Sequence, residues 1–505
     1  MNNWTRSLKQ KIYILVKYYI HSKMSGEKVE KKKISPSLIV AVIIIIVLLA
    51  ALVYYATLPP KVEIVPTTIV QTALKTETLP GTTIVRTEER TIVQTVPVTA
   101  TPTLTPTERK ISILTLAGAR TDHVKKMIET EDFKKRFPGV TVEIIAMPYV
   151  DMWPKISIAS RAGLAPADII YIDWGWLATL VENGWVEPIM GDDLPPDYKP
   201  GIVADWAWDH TTYKGKNYGV ILVTNFHVLY YNTKILKEAG ITSPPKTWDE
   251  LTQQCLMIKE RGILEYPLTL GMAPTEGLSQ VVNVIIKTFG SSTWNEKGYP
   301  AFKNERAKEA LQMIVDWVQK YKIVDPAVLG ITEHDVWKYF TEEKAAFMLN
   351  WAMVLPRIKD KSVSKVYDHF GVVEVPASKY APSSVFGSGM YFGVSSFSKN
   401  INLAKDIVKY LGSIESCKEL AKLYSLAPAY KSLMNDTDLI SLYPEVYQII
   451  PKIYQRLYVH AKTPWYIEAS NTWARYIQST VLGQISIEKM LEDCYNEVLR
   501  IIEKY

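Results

Sequence analysis

The sequence predicts an α/β domain held behind a membrane-spanning helix, and three observations predict it. From residue 110 onward, short apolar β-like runs alternate with helical ones. Residues 38–55, "LIVAVIIIIVLLAALVYY", run for 18 positions without a charged or strongly polar side chain. A Thr/Pro-rich segment separates the two. At 505 residues the chain exceeds one ordinary domain, and 48% apolar residues can furnish a sizeable core.

The apolar run comes first. Extended to 34–58 it would span ~37 Å as a helix, enough for a hydrocarbon core of about 30 Å. In lipid only a helix satisfies the backbone of a single span, so its β-branched residues do not forbid it. Lys31, Lys32 and Lys33 flank its N-terminal side. The positive-inside bias therefore puts residues 1–33 in the cytoplasm and the rest outside, a single-pass topology. A cleaved signal peptide is the rival, although no A-x-A-like site follows the run. The lead "EKVEKKKISPS" also resembles prepilin-like leaders of archaeal secreted binding proteins, and Met24 is an alternative start. No cysteine precedes Cys255, which excludes lipid anchoring at an N-terminal cysteine.

Residues 59–109 hold 15 Thr and seven Pro. Proline blocks regular helix and large side chains are scarce, so an extended stalk open to O-glycosylation is expected, with a small β element as the alternative.

Charge narrows the partner classes. Residues 1–33 carry nine Lys/Arg and two acids, a net +7. The whole chain carries +6, so the remainder is −1 and offers no basic face for nucleic acid. The three cysteines, Cys255, Cys417 and Cys494, form no CxxC or CxxH spacing and read as buried thiols. The seven histidines form no HExxH-like cluster, so no metal is expected.

In the outer domain, 110–505, "ISILTL" (111–116), "VTVEIIA" (140–146) and "DIIYI" (168–172) read as strands with both faces covered. Val124, Met127 and Ile128 mark one intervening helix; Leu177, Leu180 and Val181 begin the next. This alternation predicts a largely parallel sheet, with ligands gathering at the carboxyl ends of its strands. Trp174 and Trp176 stand at one such end. Thr247 and Glu250 form a capping box before the face Trp248, Leu251, Cys255 and Ile258. Leu311, Ile314, Val315 and Val318 make another helical face, and Leu403, Ile407, Leu411 and Ile414 a further one.

"YKGKNYGVILVTNFHVLYYNTKILKEAGITSPPKTWDELT" (213–252) resembles the signature of family 1 extracellular solute-binding proteins, which serve ABC importers and are often sugar-specific. "APADIIYIDWGWLATLVENGWVEPI", "EKAAFMLNW" (343–351) and "GVSSFSKNINLAKDIVKYL" (393–411) resemble further family phrases, in order. The usual Pro after "YGV" is Ile221. The resemblance implies a two-lobed, periplasmic-binding-protein-like (type II) α/β fold. By it, lobe one would hold about 110–222 and 376–425, and lobe two about 223–375 and 426–505. Crossings would lie near 220–224, 373–377 and 425–428. It also implies a small-molecule solute, a carbohydrate first of all, an ABC permease partner, a monomer, and neither cofactor nor catalytic residues.

Flat rings cover the C–H faces of a sugar, and carboxylates, amides and Arg satisfy its hydroxyls. Asp173, Trp174, Gly175 and Trp176 supply that combination, with one ring, Trp176 beside Leu180, open to a core role. Arg120 and Asp122 follow the first strand, Tyr149 the second. Trp351 ends a second-lobe strand, and Tyr391 precedes another; Glu276 and Trp465 complete the candidates. Tyr230-Tyr231 resembles the paired tyrosines of ferric-ion binders but belongs to the family's "YYN" phrase. Rival readings are a polyol, peptide or anion binder, an extracellular glycosidase using Asp173 and Glu276, and a sensor coupled through the span. Near-neutral charge favours an uncharged polar solute.

Overall fold

The computed structural model describes residues 69–79, 82–92 and 109–505. The expected cytoplasmic tail (1–33) and membrane span (34–58) lie outside these residues. Among the described residues no helix is long and apolar enough to cross a membrane. Within the expected stalk, Ile69–Leu79 pairs antiparallel with Thr82–Ile92, from Ile69 opposite Ile92 to Leu79 opposite Thr82. That stretch takes the β alternative, not the extended form.

The segment Pro106–Tyr505 is a separate compact unit built on two sheets. The first runs in the order Val140–Met147, Arg109–Leu116, Ile169–Asp173, Met390–Ser395, Val186–Glu187, with Val220–Ile221 also paired to Met390–Ser395. Its first three strands are parallel, each joined to the next through helices. Ile169–Asp173 is buried along its whole length, as an unbroken apolar run requires. The second sheet runs Leu268–Leu270, Phe347–Trp351, His227–Asn232, Phe370–Val373, and only its first pair is parallel. The expectation of a largely parallel sheet therefore holds for the βα core of lobe one alone. Met390–Ser395 and His227–Asn232 enter their sheets from a crossing between lobes, and so run against their neighbours.

The crossings lie side by side. Val223–Thr224 pairs antiparallel with Ala427–Pro428. Asn225 and Ser388 exchange two backbone hydrogen bonds, of 2.7 and 3.0 Å. This corrects the second crossing expected at 373–377. There the Ala377 carbonyl accepts from Trp248 N–H, its amide donates to Lys246, and the Ser378 hydroxyl donates to the Thr288 carbonyl. Those bonds keep the segment on lobe two until the chain passes Ser388 and enters the first sheet at Met390. After the third crossing, Ala429 and Tyr430 still bond to lobe one, through Ala204 and Gly412. The helices Tyr466–Val481 and Ile487–Ile502 then pack on Glu276–Thr288 and Glu305–Gln319 in lobe two.

Local signals explain the helices. The Thr247 hydroxyl caps Trp248–Glu260 by accepting Glu250 N–H, while Glu250 reaches the Lys246 amide instead of completing the reciprocal bond to Thr247. Trp248, Leu251, Cys255 and Ile258 are buried as the face predicts. All three cysteines are free and buried.

Gly219 lies where Val220–Ile221 enters the first sheet, and a Cβ there would sit 2.4 Å from the Phe392 carbonyl oxygen and from the Tyr391 ring. Neither the strand backbone nor the enclosed ring can retreat. Gly219→Ala should destabilise the protein by about 1–3 kcal/mol, as overpacking does, read as a lowered midpoint in thermal unfolding by circular dichroism.

Candidate ligand cleft

The strands of lobe one end at the crevice between the lobes. Leu116, Tyr149 and Asp173 follow or terminate its three parallel strands, and all line cavities there. The Asp173 carboxylate accepts Gly175 N–H at 3.0 Å, which shapes the turn Trp174–Trp176 and aims Trp176 into the crevice. Lobe two answers from the start of helix Glu276–Thr288, the Glu333-His334 loop and the end of strand Phe347–Trp351. Asn225 enters from the crossing itself.

Three adjoining cavities result, sharing Tyr149, Glu333 and His334 in their walls. A tight one of about 70 Å³ reaches in to Arg120, Gln280 and Tyr424. One of about 290 Å³ is walled by Trp153, Trp176 and Tyr466, and one of about 370 Å³ opens toward Pro356 and Arg357. Together they suit a small-molecule site, for which about 300–1,000 Å³ is usual. The lobes touch across this space: Tyr149 and His334 rings lie 6.0 Å apart, and a Cβ on Gly175 would stand 3.1 Å from the Tyr466 ring.

The structure sorts the sequence candidates. Trp176 lines the cleft, stacked on Tyr149 at 5.6 Å and near Trp153 at 5.5 Å. Trp174 does not; it is buried against Tyr466, Phe386 and His460, whereas Trp176, also buried in the core, keeps an edge on the cavity. Asp173, Tyr149, Glu276 and Trp351 all reach cavity walls, Trp351 with its ring 3.7 Å from His227. Arg120 lines the inner cavity, but its guanidinium already bonds the Tyr171 hydroxyl and lies 5.2 Å from the Tyr424 ring. Three candidates are corrected. Asp122 is exposed in the first turn of Ala119–Glu129, where it favours the helix dipole. Tyr391 is buried in the first sheet between Ile172 and Ile221, because the strand starts one residue earlier and turns its ring inward. Trp465 packs on Tyr299 and donates to the Gly298 carbonyl; the next residue, Tyr466, faces the cleft. Glu333, His334, Tyr424, Gln280 and Asn225 were missed, since they sit in loops, at crossings or inside a helix, where no strand end marks them. Among the described residues no group of three or more His, Cys, Asp or Glu is placed to hold a metal ion.

The acids of the cleft act on one another. Burial pushes the Asp173 carboxyl up to about 7; the Gly175 N–H opposes this, the Glu276 charge adds to it, and the Tyr149 hydroxyl opposes it. Burial also raises Glu276, against hydrogen bonds from Ser470, Tyr466 and Gln280, with Glu333 adding repulsion. The Tyr149 hydroxyl is held well above the usual phenol range, first by burial and then by Asp173.

Comparison with known proteins gives the class. The family model for bacterial extracellular solute-binding proteins matches residues 130–446. The chain belongs to that family. Maltose-bound MalE3 of T. maritima superposes with a TM-score of 0.71 at 23% identity, covering 78% of this chain and 99% of that one. The GacH receptor of Streptomyces glaucescens, solved unliganded and with acarbose, gives 0.69 at 19%, covering 79% and 99%. An uncharacterized ABC transporter extracellular-binding protein of Pyrococcus horikoshii is 28% identical over 199 residues, 38% of this chain and 45% of its own length.

A raised carboxyl binds its proton more tightly folded than unfolded. Its effect on stability is therefore neutral below the unfolded pKa, near 4, and grows unfavourable as pH rises toward about 7. Asp173→Asn keeps the acceptor for Gly175 and removes the charge. The variant's melting midpoint should match wild type near pH 4.5 and exceed it increasingly toward pH 8; a pH-independent difference would contradict the buried, protonatable carboxyl.

Proposed function

We propose that this protein is the receptor of an ABC importer for a sugar, oligosaccharide or polyol, captured by closure of its two lobes and passed to a membrane permease. One observation carries the reading: rings and polar groups from both lobes wall the same inter-lobe cavities. Tyr149 and Trp176 come from lobe one, Trp351 and Tyr466 from lobe two, each beside a carboxylate or amide. Such pairing suits a ring with apolar faces and a hydroxyl rim, where each hydroxyl left unpaired would cost about 1–3 kcal/mol. Solute touching both lobes favours the closed state by differential contact. The ligands named for fold relatives, maltose, D-mannitol and acarbose homologues, belong to the same chemical class.

The receptor acts as a monomer outside the cell, tethered by residues 34–58; the apolar run and its lysine flank support this. The acids that could suggest glycosidase chemistry, Asp173 and Glu276, hold a tyrosine, an amide and a serine in place in a family of binding proteins.

A thermal-shift screen of mono- and disaccharides and sugar alcohols should find a saturable stabiliser, and chromatography should find it unhydrolysed. Trp176→Leu should weaken the best hit about tenfold, by losing roughly 1.4 kcal/mol of ring contact. Stabilisation by peptides alone, or product formation, would refute the reading.

A further inference from the structure

The cleft holds three carboxylates, and among the described residues no lysine or arginine is paired with them. Asp173 reaches it from lobe one, and Glu276 and Glu333 from lobe two. Asp173 and Glu276 are held by neutral groups. Asp173 takes the Gly175 amide; Glu276 takes the Tyr466 and Ser470 hydroxyls and the Gln280 amide. Among the described residues Glu333 pairs with the His334 imidazole, at 3.4 Å. Gly277 makes room for it, since a Cβ there would collide with the Glu333 carboxylate. No lysine lines any of the three cavities. Arg120 lines the inner cavity, donating to the Tyr171 hydroxyl and lying over the Tyr424 ring, and Arg357, at the wide end, is exposed and lies over Trp337.

A second, independent feature is an excess of acceptors. Gln280 is 3% exposed and lines the inner cavity. Its Nε2 donates to Glu276, while its Oε1 has no hydrogen-bond partner among the described residues. Asn225 lines the same cavity: its Oδ1 accepts from Phe226 and Met353 amides, leaving its Nδ2 to donate. Enclosed carboxylates held mostly by neutral donors are costly, and a group that relieves them is a cation bearing several N–H donors. The Tyr149, Trp176 and Tyr466 rings wall the adjoining cavity, and aromatic rings attract cations.

We propose that the solute carries a protonated amine on its hydroxylated frame, with the ammonium seated among Asp173, Glu276, Glu333 and the Gln280 carbonyl. This rests on the reading of the cleft as a sugar or polyol site and sharpens it. It also departs from the uncharged solute that near-neutral composition suggests, because overall charge does not report the charge of a cleft. The amine replaces a hydroxyl, donating where acceptors wait, while the ring lies between Trp176 and Trp351.

The test uses sets matched except at one carbon: glucosamine, N-acetylglucosamine and glucose, and the β-1,4-linked dimer of each, titrated calorimetrically into the full chain near pH 7. The amine member should bind at least about tenfold more tightly than its hydroxyl partner. Glu333→Gln should bring that ratio toward one, and added sodium chloride should lower it in the wild type. A hydroxyl or acetamide member that binds as well as the amine overturns the proposal and leaves the sugar reading standing. Absence of binding by every member overturns both.

Discussion

Everything in the cleft depends on backbone hydrogen bonding where three segments cross between the lobes. Val223–Thr224 lies against Ala427–Pro428, and Asn225 against Ser388. These short pairings satisfy polar backbone that would otherwise be stranded in a narrow, buried neck. They also fix which residues begin the strands on either side. Met390 enters the first sheet directly after the Ser388 bridge, and His227 enters the second directly after Asn225. Trp351 lies opposite His227 in register, so the position of a second-lobe aromatic in the cleft is set at the neck.

Trp174 and Tyr466 form the other junction between lobes, their ring centroids 4.7 Å apart. Tyr466 carries three links at once. Its ring meets Trp174 and the bare Cα of Gly175, and its hydroxyl donates to Glu276 at 2.6 Å. An aromatic contact and a charged acceptor are thus joined through a single side chain. Movement of one lobe against the other must separate them, or carry the start of helix Glu276–Thr288 along.

The elements were legible wherever one physical signal dominated. Ile169–Asp173 announced itself as an apolar run and Thr247 announced its helix by its capping chemistry, whereas Val140–Met147, expected to be covered on both faces, is a half-exposed edge strand. The rule that ligands gather at strand ends found Tyr149, Asp173, Trp176 and Trp351. It failed where a position one or two residues away redirects a side chain, as with Trp465 against Tyr466 and Trp174 against Trp176. Sequence carries no register for a three-residue turn or a crossing. Glu333 and Gln280 escaped for another reason: a loop glutamate and a helical glutamine look solvated until the partner lobe encloses them. The crossing near 373–377 misled because its bonds to Lys246, Trp248 and Thr288 come from residues far away in sequence.

The split of acids between lobes bears on how the switch works. When the lobes are apart, water can solvate Asp173 on one side and Glu276 and Glu333 on the other. Closure without solute strips that water and brings like charges together, which is why burial and Glu276 both raise Asp173. The empty closed state is therefore penalised by the same groups that later hold the solute. Moving such an equilibrium from one part in a hundred closed to ninety-nine takes about 5.5 kcal/mol of differential affinity. A ligand that neutralises the acids contributes to that difference twice, by its own bonds and by removing the repulsion. A ligand that only stacks on the rings contributes once, so the acids make closure depend on what the solute carries as well as on its shape.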